Sequence, residues 1–587
     1  MVDLRLYRMA FAPLALAIVY VAFSLGTWPP TLSTTLPPTA FSGADAMNRL
    51  EALARAYPDR SPGSAGDRAL ASYMAGALRA DGFAASTDSF TGDTVSGRRS
   101  LETVIASRQG SESGSIVIVA HRDSARPGSL AELSGSAALL ELAHIFSETT
   151  TNRALTLVST SGGSGGAAGA ADLAGHIAGP VDAVIVLGDL AGSRSSRPYV
   201  VPWSDGSQIA PIQLRRTVAA ALQSQLGRSP GGTAVSDQIA RLVFPLTVGE
   251  QGPLNAAGLP AVLVQQSGEV GPSAGDPVSA TATRFAEFGR GVLASVDALD
   301  NGPGVGPPTR DLLLGHLVLR SSSVRLLVGL LILPALVAAV DALARARRRR
   351  VAIGGSLTWL AVAVVPFGLA ALFAVVLGRS GLLAAAPTGP VTARQLPVGV
   401  AGTIALISVA IVFALAWLVR GPLTRRVAPG VSPADPGAPV ALILVACAIA
   451  SVVWVFNPYA ALLTLAPLHL WLFATMLERP PPKAISVALV GVALIPLLGL
   501  MALDAARLGL GPRAFAWTGL LLVAGAHIGL IALVVWALCG GCAIAAFAIA
   551  VSRAREHYED LPPITVRGPV SYAGPGSLGG TDSALRR

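Results

Sequence analysis

The sequence predicts an α/β domain, a three-layer sandwich with a largely parallel sheet, joined to an all-α transmembrane bundle that brings the total to about eight membrane helices. Three observations predict it. Residues 44–300 alternate amphipathic helical patterns with short β-branched runs, apolar runs about as long as a bilayer is thick lie on both sides of that segment, and arginines gather at alternate ends of those runs. Of 587 residues, 52% are hydrophobic and 13% charged, with mean hydropathy +0.60, too apolar for an ordinary soluble globule.

The net charge of +9 does not indicate nucleic acid as a partner, because of where it sits. Between Trp28 and Ser322 there are 21 arginines against 25 acidic residues, a net charge of −4. The basic surplus therefore flanks the membrane, where it sets orientation. Membrane lipids and other proteins of the cell envelope are the expected partners. Lys483 is the single lysine among 43 basic residues, a composition expected of a high-GC bacterial coding sequence. Cys447, Cys539 and Cys542 all fall in apolar runs, so the α/β domain must be held by its core rather than by disulfides.

Residues 1–28 read as an N-terminal anchor. The apolar run 9–25 follows Arg5 and Arg8 and has no small-x-small cleavage site before the Pro-rich stretch 28–38. An uncleaved helix with its N-terminus inside is expected, a cleaved signal peptide being the alternative. In the α/β unit, 40–300, helical patterns at 46–57, 67–80, 131–146, 211–226 and 281–299 alternate with strand-like runs at 115–120, 155–159, 183–187 and 261–264. Near-continuous apolar strands separated by helices mean a parallel sheet buried on both faces. Ligands bind such sheets at the carboxyl ends of the strands.

A Gly/Pro-containing linker, 301–322, precedes the bundle, 323–551. Spans are expected near 324–344, 355–377, 397–419, 438–456, 459–477, 484–503 and 515–538. The last apolar run continues to 551, as one long or broken helix or as two short ones; one is favoured, giving eight spans. Arg345 and Arg347 to Arg350, then Arg420, Arg425 and Arg426, then Arg479 and Lys483, then Arg553 and Arg555 mark the cytoplasmic side, which places the α/β domain outside the plasma (inner) membrane and the C-terminus inside. The Gly-, Ser- and Arg-containing tail 552–587 is expected to be cytoplasmic and disordered.

Several motifs then occur in an informative order. Arg60-Ser61-Pro62-Gly63-Ser64 leads into an amphipathic helix ending in Gly82-Phe83. Val104 to Ser107 and Ser115 to Ser124 suggest paired strands, the second ending in His121-Arg122-Asp123. Ser134-Gly135, followed by Ala138 to Ala143, lies in the helical pattern 131–146, and Gly258-Leu259-Pro260-Ala261 makes a late turn. Over residues 60–299 this order resembles metallopeptidase family 28, the co-catalytic zinc aminopeptidases with glutaminyl cyclases as relatives. The succession of anchor, exported domain and helix bundle also resembles the aminopeptidase-like subunit of the GPI transamidase, a likeness of architecture that carries no residue-level function.

The resemblance to family 28 implies two zinc ions held by histidines and carboxylates, with a bridging Asp and a glutamate base. His121 stands where one ligand is implied, Asp123 where the carboxylate orienting it is implied, and Asp189 at another ligand position. The remaining positions are degenerate. Ala131 stands at the bridging Asp, with Glu132 beside it. Gly163 and Ser164 stand at the Glu-Glu pair, Glu250-Gln251 at the late Asp-His pair, and Pro272, four residues before Asp276, at the final histidine. An alanine, a glycine, a serine and a proline cannot replace carboxylates and imidazole as ligands to a zinc pair, so His121, Asp189 and, through its longer arm, Glu132 are remnant metal candidates and Asp123 a remnant catalytic one. No cofactor is expected, or zinc if a hydrolase survives.

Structural roles account for the same residues. His121 with Asp123 reads as a hydrogen-bonded strand-end pair, Asp189 as an acceptor of backbone N–H groups, and the stretch 162–166 as an anion cradle or, preferably, a flexible loop. His144 and His176 read as surface or packing residues. In the bundle, Asp341 is expected to snorkel and pair with Arg345. His469 and His527, near mid-span, are expected to make helix–helix hydrogen bonds, with Gly525 and Gly529 forming a close-packing face. The expected protein is thus a membrane-anchored, metallopeptidase-like pseudoenzyme acting as a binding or assembly module. An active membrane-bound zinc aminopeptidase or amidohydrolase, and a transporter of an envelope lipid or precursor with a receptor domain, are the alternatives.

Overall fold

The computed structural model describes residues 4–559 except 35–39, 125, 178, 193–196, 233, 273–279, 384–387 and 478–480. Its strands in chain order are β1 (Gly26–Thr27), β2 (Ala84–Thr94), β3 (Gly97–Arg108), β4 (Ser115–His121), β5 (Ala154–Thr160), β6 (Val181–Leu187), β7 (Tyr199–Val201), β8 (Ala261–Gln265), β9 (Leu312–Leu314) and β10 (Leu317–Leu319).

Seven of them form one sheet in the order β2-β3-β5-β4-β6-β8-β7. Its centre, β5-β4-β6-β8, is parallel and consists of the four runs with continuous β-branched character; the pairs β2–β3, β3–β5 and β7–β8 are antiparallel. One pairing corrects the sequence reading: Val104 to Ser107 lie in β3, beside β2 and β5, and do not pair with β4.

The period of two along each strand divides the sheet between two cores. Ile116, Ile118 and Ala120 of β4, with Ile185 and Leu187 of β6, face the helices Gly43–Ala56, Ala65–Ala80, Leu130–Ser147, Ile212–Leu226 and Ala282–Asn301. Val117 and Val119 of β4 and Val184 and Val186 of β6 face the opposite way, into an apolar cluster that also takes in Leu173, Leu242 and Leu254 from the helices Ala168–His176, Val235–Val243 and Gln251–Ala256. That second cluster runs without interruption into Val324, Val328, Ile332, Leu442 and Leu472 of the bundle. On that side the domain's core is therefore continuous with the bundle's own.

The segment read as a linker has structure of its own. β9 and β10 form a hairpin turned at Gly315, whose φ of +60° suits glycine, and β10 pairs with β1 just beyond the first membrane helix. Eight helices among the described residues are long and apolar enough to cross a membrane: Leu4–Ser24, Ser321–Arg348, Ile353–Arg379, Val400–Val427, Gly437–Phe456, Pro458–Met476, Lys483–Arg507 and Leu530–Ser552.

The last apolar run differs from expectation. It divides into the short helix Pro512–Ala524 and the long helix Leu530–Glu559, so the break falls at residues 525–529 and not near Cys539. Gly525 and Gly529 consequently do not form a helical packing face, and His527 lies in the break rather than at mid-span. The close approach is made instead by Gly540 and Gly541, where a Cβ would come within 2.7 Å of Phe367 and 2.5 Å of Val364. Of the expected tail, residues from 560 on lie outside the described residues, and 552–559 continue the last helix.

Candidate functional site

The carboxyl ends of the parallel strands bring most of the singled-out residues together. His121 is the last residue of β4, Thr160 the last of β5, and Asp189 follows β6 by two positions. Ser129 caps the helix Leu130–Ser147 by accepting from the Glu132 N–H, which fixes Glu132 in the first turn beside His121-Arg122-Asp123. Glu250 precedes the helix Gln251–Ala256 and reaches in from the far side.

His121 is held by Glu250 and not by Asp123. Its Nδ1 lies 3.5 Å from Glu250 Oε2, while the Thr160 hydroxyl donates to Glu250 Oε1. Burial opposes a charge on the imidazole, but the hydrogen bond and charge of Glu250, helped by Asp123 and Glu132, prevail and push His121 up to about 9. Glu250 thus favours the charged form of the imidazole.

Asp123 is committed elsewhere. The Gly163 N–H (3.0 Å), Ser164 N–H (3.1 Å) and Ser164 hydroxyl (2.5 Å) all donate to its carboxylate. The Gly-rich stretch is thus a cradle around the protein's own Asp123 rather than a slack loop, with Gly162 and Gly166 turning the chain at φ of +85° and +90°. Gly163 is also pressed against the ion pair: a Cβ there would stand 2.4 Å from His121 Cβ and 3.0 Å from Glu250 Cδ. Glu132 accepts from the Ser124 hydroxyl and lies 3.8 Å from Arg126, and Asp189 accepts the Gly192 N–H at 2.9 Å.

Beneath this layer lies an ion pair that sequence reasoning passed over. Arg122, fully buried, binds Asp67 Oδ1 at 2.9 Å and donates to the carbonyls of Asp67, Ser159 and Glu102. A charged residue between His121 and Asp123 at the end of an apolar strand was its signal. Arg60, also fully buried, ties the Arg122 carbonyl to those of Tyr57 and Ser129.

Above the strand ends is a cavity of about 240 Å³ whose walls include His121, Glu132, Asp189, Glu250 and Glu269, with Pro272 at its rim. The bundle supplies part of the enclosure: Arg394, Gln395 and Pro397, from the connection between the helices Ile353–Arg379 and Val400–Val427, also line it. That connection is attached to the domain through Thr388, whose N–H donates to the Asp93 carbonyl at 2.9 Å.

Part of this chain is similar to several solved structures. A glutaminyl cyclase from Porphyromonas gingivalis is 19% identical, with a TM-score of 0.36, over 44% of this chain and 98% of that one. One from an Acidobacteriales bacterium is 15% identical, with a TM-score of 0.37, over 46% and 99%. A Zn-dependent exopeptidase from Parabacteroides distasonis is 14% identical, with a TM-score of 0.35, over 45% and 99%. No family model and no curated protein matches the chain. Likeness at this level leaves function to be read from the side chains.

The imidazole and carboxylates at the strand ends are turned toward protein partners. Among the described residues no three His, Cys, Asp or Glu side chains are grouped to hold a metal. His121 points its Nδ1 at Glu250, both Asp123 oxygens accept hydrogen bonds, and Glu132 faces Ser124 and Arg126. Ala131 offers its carbonyl to the Ser134 hydroxyl. Pro272 lines the cavity, whereas Asp276 lies outside the described residues.

The bundle residues have structural partners. Asp341 pairs with Arg345 at 2.6 Å. His469 Nε2 lies 3.0 Å from the Leu331 carbonyl, which can only accept, so Nε2 carries the proton and Nδ1 accepts from the Tyr7 hydroxyl at 2.8 Å. The ring thereby joins three membrane helices. His144 and His176 are exposed beside Asp81 and Asp172.

A second set of charges joins the domain to the bundle. Arg241 donates to Glu269 through Nε (2.8 Å) and Nη2 (2.7 Å) and to Asp504 of a membrane helix through Nη1 (3.0 Å), and Arg507 pairs with Asp237 at 2.9 Å. The signal available in the sequence was Asp504, an isolated acid at the end of an apolar span.

Proposed function

We propose that the chain is a membrane protein whose peptidase-like domain has given up metal-dependent hydrolysis and serves as a binding or assembly module fixed to its bundle. The observation that carries this reading is the His121–Glu250 pair closed over Gly163. A glutamate base at position 163 would have to occupy space that the pair fills. The acids left at the strand ends are drawn into internal hydrogen bonds, as in a site kept for its structure. The domain is placed outside the membrane and the Arg345 to Arg350 end of the helix Ser321–Arg348 inside, on the distribution of arginines.

The test uses the whole protein in detergent, since one side of the domain packs against the bundle. Incubated with zinc and with unblocked aminoacyl amides or peptides with N-terminal glutamine, it is expected to give no turnover above background. Turnover that disappears in His121→Ala or Asp189→Ala would overturn the reading.

A further inference from the structure

The two edges of the seven-stranded sheet are unequal. β7 is three residues long, whereas β2 runs for 11 residues in unbroken register with β3. Long open edges invite pairing with another chain, and proteins normally blunt them with Lys, Pro or a bulge. The segment Thr87-Asp88-Ser89-Phe90-Thr91 has no Lys, Pro or bulge, and Asp88 is its single charge.

The direction of its backbone groups follows from three hydrogen bonds. In an antiparallel pair, alternate residues turn both N–H and C=O away from the partner strand. Asp93 N–H and C=O both bind Thr388, and the Ala85 carbonyl accepts from Arg79, so the odd-numbered residues of β2 face away from β3. On β3 the Glu102 carbonyl, opposite Ser89, faces the other way, to Arg122, as the same alternation requires. The ends of the edge are thus covered by Arg79 and Thr388. Between them the N–H and C=O groups of Thr87, Ser89 and Thr91 point outward, and these three residues are exposed.

We propose that this window of β2 is a β-augmentation site, which pairs with an extended segment of a partner polypeptide. The bundle's Thr388 already makes the first rung at Asp93, and the partner strand would continue that interface. Side chains beside the window specify its chemistry: exposed Asp88 calls for a basic residue, and half-buried Phe90, two positions on along the same face, calls for an apolar one. Main-chain bonds supply the affinity and these two positions the selectivity. This deepens the assembly reading proposed above and rests on it for the expectation of a protein partner. Amide exchange at β2 reports on the edge alone, whereas turnover at the strand ends reports on that earlier reading.

The probe is a ten-residue synthetic peptide alternating Thr and Val with one central Lys, added to the full-length protein in detergent while hydrogen exchange is followed. In the free protein the Thr87, Ser89 and Thr91 amides should exchange freely and that of Phe90, turned to β3, slowly. Millimolar peptide should slow the three outward amides by about tenfold. Ser89→Pro removes one outward donor at a position where an edge strand tolerates proline and should abolish the effect at Thr87 and Thr91. Ser89→Ala should preserve it. Slow exchange of the three amides in the free protein, no protection at saturating peptide, or equal protection in Ser89→Pro would each overturn the proposal.

Discussion

Arg241 of the α/β domain and Asp504 of a membrane helix meet at 3.0 Å with their side chains almost fully buried, 2% and 9% exposed. The same guanidinium holds Glu269, a wall of the strand-end cavity. Cavity, domain and bundle are therefore linked through one side chain.

Removing that side chain strands two carboxylates. Arg241→Leu is expected to lower stability by about 3 kcal/mol, because breaking a buried pair leaves an uncompensated charge. Asp504→Asn keeps an acceptor for Arg241 and leaves Glu269 to balance it, and should cost less. Thermal unfolding of the full-length protein in detergent provides the comparison. Negligible loss in Arg241→Leu would show that the pair does not hold the two parts together.

Position 163 separates a site merely missing one group from a site rebuilt around its absence. Gly163→Ala should cost about 1 to 3 kcal/mol, the usual penalty of overpacking, since its Cβ meets His121 at 2.4 Å. Gly163→Glu should be less stable still and show no hydrolysis. Unchanged stability with new peptidase activity in Gly163→Glu would mean that the His121–Glu250 pair yields easily to a restored base.

Asp205 gives the domain a pH signature. Burial raises its pKa from 3.8 to about 7, the Thr247 N–H only partly offsetting it, and its Oδ1 has no hydrogen-bond partner. With the folded value above the unfolded one, its contribution is fully present below about pH 4 and is lost as pH rises through 7. Unfolding measured between pH 4 and 8 should show a decline in stability that is absent from Asp205→Asn. The same decline in both proteins would assign it to another group.

Legibility in the sequence followed burial. The four parallel strands stood out because both of their faces are covered, which demands continuous apolar residues. β2 did not, because Ala84 to Thr91 are largely exposed and polar, nor did the helix Ala168–His176, whose small residues carry little periodicity. The break at 525–529 is not legible because hydropathy continues through it and its two glycines have the spacing of a packing face. At the strand ends, motif order brought His121, Asp123, Glu132 and Asp189 together. The pairing of His121 with Glu250 is not legible, since it depends on how the chain entering the helix Gln251–Ala256 brings Glu250 to the end of β4. The grip of Gly163 and Ser164 on Asp123 likewise rests on two backbone N–H groups that any sequence would supply, joined by the Ser164 hydroxyl.

Zinc content of the purified full-length protein tests the central claim most directly. After purification with zinc present and removal of loosely held metal, less than one zinc per chain is predicted, and the value should not change in His121→Ala. Two tightly held zinc ions per chain, lost on His121→Ala or Asp189→Ala, would contradict the account and restore a co-catalytic metal site to this fold.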